Sequence, residues 1–367
     1  MYVKNGKISS RQTFRLYVFD LMGIATLLLP PYLAKLCGID GIFAILAGTG
    51  LGYVYLFYLG WIMKGMRGDF CSFLERHVDV TIRKITYLWV LLHSVFTAGF
   101  CAYIFANLMK YSLVKESAYE VILLVIVVAA VYAVSGGIES RARVYEVLFW
   151  FVLIPYAVMM LASTRNFEGI YIQDFFATTG SNLGKGMYLV FLFLTPLFFV
   201  LFLVGEKEKN YGRNMIKTVG AAIFLTAVIL LCSYVLLLGN FGTESLAKMK
   251  YPIVTLMSTI QFKGNFLKRM DALMLAVWFF TLYALLNLHL HYGTKMLKEL
   301  RKKENAAKWW NIGIPSGLVY GIAYLMFQYE EWILLFLDYY SYIAVPLMIL
   351  VPLVLVFIGR KKYGRKV

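Results

Sequence analysis

Apolar runs of about 20 residues recur along nearly the whole chain, separated by short connections. Such a run matches the thickness of a bilayer core. A segment surrounded by hydrocarbon must satisfy its backbone polar groups internally, so each run is a helix. The runs predict spans at roughly 13–36, 40–63, 85–109, 118–135, 144–163, 184–204, 217–239, 271–294, 311–328 and 332–358. Composition excludes a water-soluble alternative. Hydrophobic residues make up 61% of the 367 positions, 15% are charged, and mean hydropathy is +0.71. A soluble domain carries about 25% charged residues. The spacing leaves no room for a separate soluble domain, so residues 1–367 are expected to form one transmembrane domain.

The net charge of +16 is not one basic patch. Lys4, Lys7, Arg11 and Arg15 precede the first run; Lys64, Arg67, Arg76, Arg83 and Lys84 follow the second. Arg141 and Arg143, then Lys207 to Lys217, then Lys295 to Lys308, and finally Arg360 to Lys366 mark every second connection after that. Roughly 26 of the 36 basic residues fall on one side, the pattern of cytoplasmic loops. Both termini are therefore expected in the cytoplasm, with the basic face toward anionic lipid and no nucleic-acid partner. Cys37, Cys71, Cys101 and Cys232 are too scattered for a metal site or a disulfide framework. No nucleophile–base pair stands out, so neither a cofactor nor an enzymatic activity is expected.

Two connections have helical periodicity of their own. Phe70, Phe73, Leu74 and His77 predict a short interfacial helix on the basic side. On the other side, Tyr251, Pro252, Ile253, Leu256, Met257 and Ile260 predict an amphipathic helix over the mouth of the bundle. Ten spans divide into five plus five, and helix breakers stand at matching places in the two halves. The first span has Gly23-Ile24-Ala25-Thr26 and Pro30-Pro31; the sixth has Gly184, Gly186 and Thr195-Pro196. An inverted repeat of about 13–163 and about 184–358, with helices 1 and 6 both interrupted, follows from that placement.

The sequence resembles the B subunits of spore germinant receptors, the endospore germination permeases. The resemblance lies in Lys7-Ile8-Ser9-Ser10-Arg11-Gln12, in Gly23-Ile24-Ala25 with Leu29-Pro30, and in Gly136-Gly137-Ile138-Glu139 with Arg141 and Glu146. It continues in Tyr251-Pro252 and in Phe266-Leu267 with Arg269, Asp271 and Trp278. It implies the amino acid–polyamine–organocation fold, an all-α membrane protein similar to LeuT. It also implies a small germinant such as an amino acid, an A-type membrane subunit and a C-type lipoprotein as partners, and the spore inner membrane as location. The family often has Gly-x-Glu near the centre of span six. Here Phe191 to Pro196 holds no acid, which leaves the germinant unidentified.

An unwound Gly23–Thr26 offers free amides to a carboxylate, and carbonyls released there and at Leu194-Thr195-Pro196 offer acceptors to an ammonium. The alternative is that Gly23 only permits close packing. Asp20 is the acid nearest this break and partners a cation or ammonium, or else Arg15. His93, Thr97 and Cys101 share one face of span three, and Tyr283, Asn287 and His291 one face of span eight. Thr97, Tyr283 and Asn287 are candidate lining residues; inter-helix hydrogen bonding is the alternative. His289 and His291 sit two apart and point to different faces, against a metal site. Gly48, Gly50 and Gly52 suit close helix packing. No ionisable group lies near the middle of spans five or six, which favours sensing over ion-coupled pumping. A self-sufficient amino-acid transporter of the same fold and an inert scaffold remain the alternative functions.

Overall fold

A computed structural model of the chain describes residues 8–64, 66, 68–173, 175–203, 211–259, 270–301, 308–329 and 331–363, with backbone only at 211–213, 270–274, 308 and 360–363. The described residues are helical, with no strand among them. The helices are α1 (Ser10–Cys37), α2 (Gly41–Lys64), α3 (Phe70–His77), α4 (Val80–Ser112), α5 (Tyr119–Ser135), α6 (Gly137–Ser163) and α7 (Gly180–Leu192). They continue with α8 (Val200–Leu203), α9 (Tyr211–Lys248), α10 (Pro252–Thr259), α11 (Met270–Arg301), α12 (Lys308–Gln328), α13 (Glu331–Asp338) and α14 (Val345–Tyr363).

Each predicted span coincides with a helical segment, if α7–α8 and α13–α14 each count as one. Most of these, the α1–α2 pair among them, are long and apolar enough to cross a membrane; α5 is a shorter apolar helix. The chain is a multi-pass membrane protein. Leu88, Val128, Val147 and Leu161 point outward from the bundle, where lipid replaces water as solvent.

The starts of the helices follow local chemistry. Ser9 and Gln12 form a capping box at α1: the Gln12 amide donates to Ser9 Oγ at 3.2 Å, and the Ser9 amide donates to Gln12 Oε1 at 2.9 Å. Asp69 and Asp79 cap α3 and α4. Gly137, at φ 78, makes the tight joint between α5 and α6, a left-handed position that suits glycine.

α1 runs through the centre and packs on α2, α6, α7, α9 and α11, while α4 lies along α11 and α12. The two predicted amphipathic helices are present. α3 buries Phe70, Phe73 and Leu74, and α10 buries Pro252, Ile253, Leu256 and Met257. Of the α2 glycines Gly48, Gly50 and Gly52, two meet neighbours. A Cβ on Gly48 would stand 2.5 Å from Val190, and one on Gly52 would stand 2.4 Å from Leu194; Gly50 faces open space.

Opposite the basic end, Asp40 in the α1–α2 turn fastens the connection that leads into α7. Its carboxylate accepts the Phe176 amide at 2.7 Å and the Thr178 amide at 2.8 Å, while the Thr178 hydroxyl donates to the Cys37 carbonyl at 2.7 Å. At the basic end, Asp69 ties α3 to α11. Its carboxylate accepts from Lys295 Nζ at 3.0 Å and from the Ser72 amide at 3.0 Å.

Burial alone would raise the Asp69 carboxyl, but Lys295 and the Ser72 hydroxyl and amide hold it below the ordinary carboxylate range. A depressed folded-state pKa means that the tether contributes stability above the ordinary carboxylate pKa and loses it as pH falls through the lowered value. Protection of the Ser72 amide against hydrogen exchange, relative to its intrinsic rate, should therefore fall only below about pH 4 in the native protein. In Asp69→Asn it should already be low at neutral pH.

Candidate ligand-binding site

The first expected opening is absent. α1 is unbroken from Ser10 to Cys37, so Gly23, Ile24, Ala25 and Thr26 keep their amides inside the helix. Two contacts explain this. Thr26 Oγ1 donates back to the Met22 carbonyl at 3.0 Å and accepts Trp278 Nε1 at 3.3 Å. Gly23 lets α11 approach so closely that a Cβ there would stand 2.6 Å from Thr281 Cβ and Oγ1. Gly23 is a packing glycine, and the α1 backbone does not present a carboxylate site.

The second expected opening exists. α7 ends at Leu192, a 3-10 turn runs Thr195–Phe199, and Gly180–Leu192 and Thr195–Leu203 are bent by 41° relative to each other. Pro196 has no N–H to donate to the Leu192 carbonyl four residues earlier. The Thr195 hydroxyl takes that role at 2.6 Å. Thr195 Oγ1 also meets the hydroxyl of Tyr340, in the π turn between α13 and α14. Leu194 is buried against Gly52.

Beside this break, facing sides of α4 and α11 hold a group of fully buried polar side chains. The His93 and His289 rings are 5.7 Å apart at 69°, His289 packs on Phe199 at 5.1 Å, and His93 lies 5.8 Å from Tyr340. His93 Nδ1 pairs with the Tyr339 hydroxyl at 3.3 Å. Several atoms in this group have no protein hydrogen-bond partner: Thr97 Oγ1, Ser94 Oγ, His93 Nε2 and both ring nitrogens of His289. Buried polar groups are normally satisfied, so such a concentration marks this region as the candidate site. Of these, Thr97 was anticipated as a lining residue from the sequence.

Asp20 lies elsewhere, and its partner is neither Arg15 nor an external ammonium. It is paired with Arg141, whose guanidinium also donates to the Ala284 carbonyl at 3.0 Å. Arg15 instead contacts Glu146, donating to its carbonyl at 2.9 Å. Arg143 points outward to Glu139, so two arginines two positions apart serve opposite faces of α6. Tyr283 and Asn287 belong to this second cluster, with the Asn287 amide within reach of Tyr145 and Tyr283. Asn287 and His291 line a narrow crevice with Arg141. His289 and His291 thus serve separate clusters. Arg269 and the Asp271 side chain lie outside the described residues.

The end opposite the basic clusters has a cavity of about 570 Å³ between the α4 terminus, α10 and the start of α11. Lys110 and Lys115 are at its edge, and Trp278 lies at its base beside Leu275. The same indole reaches Thr26 and stands 6.2 Å from the Tyr156 ring. Trp278 therefore separates this cavity from the interior of the bundle.

With this geometry, similarity to known proteins can be placed. Residues 7–331 match the family model described as spore germination protein. The chain belongs to this family. Relatives in Bacillus subtilis strain 168 include spore germination protein A2, 21% identical over 96% of this chain and 95% of that protein. Spore germination protein B2 is 22% identical over 82% of each, and spore germination protein KB is 21% identical over 86% and 84%. Among solved structures, a Na⁺-coupled sialic acid symporter in a substrate-bound outward-open state superposes with a TM-score of 0.67 at 11% identity. That match covers 96% of this chain and 78% of the symporter, and it establishes a LeuT-type fold. Within that fold, the chain has the interruption of helix 6 and lacks the one expected in helix 1.

Removing one partner of the buried ion pair leaves an uncompensated charge. Asp20→Asn and Arg141→Gln should each lower stability by about 3–5 kcal/mol, and Asp20→Leu with Arg141→Met by much less. Thermal unfolding in detergent measures the cycle. Gly23→Ala should cost about 1–3 kcal/mol, with Thr281→Gly in the same chain restoring most of it.

Proposed function

We propose that this protein is the ligand-binding membrane subunit of a spore germinant receptor, and that its ligand is a small, amino-acid-like germinant. The observation that carries this reading is the group of unpartnered buried polar atoms around Thr97 and His289, next to the broken helix at Leu194-Thr195. A small zwitterion offers both donors and acceptors, and so matches a mixture of hydroxyls and imidazoles. Family membership and the relatives named as spore germination proteins support the biological setting.

In this reading the chain is a single domain of two five-span repeats in the spore inner membrane, with both termini and the basic clusters in the cytoplasm. The break between α7 and α8 is where ligand binding moves the bundle. A receptor needs only a difference in ligand affinity between two arrangements. The A-type membrane subunit and C-type lipoprotein would read that movement. No catalytic step is involved.

The test uses the purified chain in liposomes, titrated calorimetrically with a panel of free amino acids. At least one should bind. Thr97→Val and Thr195→Val should each weaken it by about 1–3 kcal/mol, roughly a tenfold loss or more, with helical content unchanged. Concentrative uptake without partner subunits would overturn the receptor reading. Unchanged affinity in both variants would remove the ligand from this site.

A further inference from the structure

The cavity over Trp278 has a chemistry distinct from the buried cluster beneath it. Lys110 and Lys115 supply two cationic groups at its edge, and neither is in an ion pair among the described residues. Lys110 is half-buried and holds its ammonium 5.5 Å from the Phe327 ring centroid, which fixes the charge near the wall. A third cation stands close by: Lys250 lies over Tyr251, whose ring is 6.1 Å from that of the wall residue Tyr111. Among the described residues the lining includes no acid, and Glu116, next to Lys115, is exposed outside it.

Polar and apolar groups complete the lining. Ser112 Oγ is shielded from solvent and has no protein partner. Leu275, Met257 and the Trp278 indole are apolar, and all three are buried. A space of about 570 Å³ is within the range of small-molecule sites, which join apolar walls to a few placed polar groups.

We propose that this cavity is a second ligand site, for an organic carboxylate with an apolar body. The carboxylate would meet Lys110, Lys115 and Ser112, and the body would lie on Leu275 and Trp278. Two ammonium groups, with no facing acid among the described residues, favour an anion over a zwitterion, whose own ammonium would be repelled. Trp278 then divides two sites of different selectivity: an anion site above it and a zwitterion site below. The inference rests on the proposed orientation, which makes this cavity the outer vestibule of the receptor, but its chemistry is tested separately.

The experiment uses the full chain in nanodiscs of phosphatidylcholine, with phenylacetate as the anionic probe and phenylacetamide as its neutral counterpart. Calorimetry should detect phenylacetate binding, and phenylacetamide should bind about tenfold more weakly or not at all. Lys110→Gln with Lys115→Gln should weaken phenylacetate by about tenfold, and Lys110→Arg with Lys115→Arg should retain it. The arginine pair checks that substitution at these positions leaves the protein folded.

Thr97→Val, which addresses the deep site, should leave phenylacetate unaffected. Absence of binding, equal affinity for the amide, or indifference to the glutamine pair would each overturn the proposal. Loss of phenylacetate in Thr97→Val but not in the glutamine pair would also overturn it, because the anion would then occupy the deep site. Failure of amino-acid binding alone would count against the receptor reading and not against this one.

Discussion

The ion pair between Asp20 and Arg141 governs how the bundle is assembled. Either charge alone inside a membrane bundle would be costly, so each requires the other close at hand. The pair joins α1 to α6, and the additional bond from Arg141 to the Ala284 carbonyl brings in α11. Three helices distant in sequence are thereby fixed around one polar point. The close approach of α1 to α11 at Gly23 and Thr281 occurs on the same helix pair. The tyrosines and Asn287 around the charges extend this point into a polar layer on the basic side of the broken helix.

The central helices have different tasks. α1 stays continuous although Pro30 and Pro31 remove two backbone donors: its hydroxyl at Thr26 returns to its own backbone, and Trp278 packs on it from α11. The α7–α8 segment, which has lost a donor at Pro196, bends and leans on side-chain hydroxyls instead. One half of the fold thus presents a continuous helix and the other a bent one. A bond between the Thr195 and Tyr340 hydroxyls connects the bend to the π turn of the last span, so the irregular stretches of two spans meet directly.

Much of the architecture was legible in the sequence because hydrocarbon imposes a simple code. Length of apolar run gave the spans, and spacing of Phe70, Phe73 and Leu74 gave α3. Pro196 announced its own break, since a missing N–H is a local fact. Glycine carries no such local message. Gly23 suits either an unwound backbone or a crowded one, and only Thr281, 258 positions later, decides between them. Asp20 posed the same difficulty. Its neighbour Arg15 was visible, whereas Arg141 was hidden among connection residues, although its offset from Arg143 does place the two on opposite faces. Thr97 was legible as a polar residue on a buried face. Its companions Ser94 and His289 emerge only when α4 and α11 are laid side by side.

Asp40 holds its loop by the main chain. The two amides it binds belong to Phe176 and Thr178, and any residue except proline would supply them. Most side chains in that stretch take no part in this anchorage. Two positions differ: the Thr178 hydroxyl donates to the Cys37 carbonyl, and Phe176 has a φ of 66, a left-handed conformation that glycine and asparagine adopt more readily. The connection into α7 is thus held chiefly by what every residue shares, its backbone.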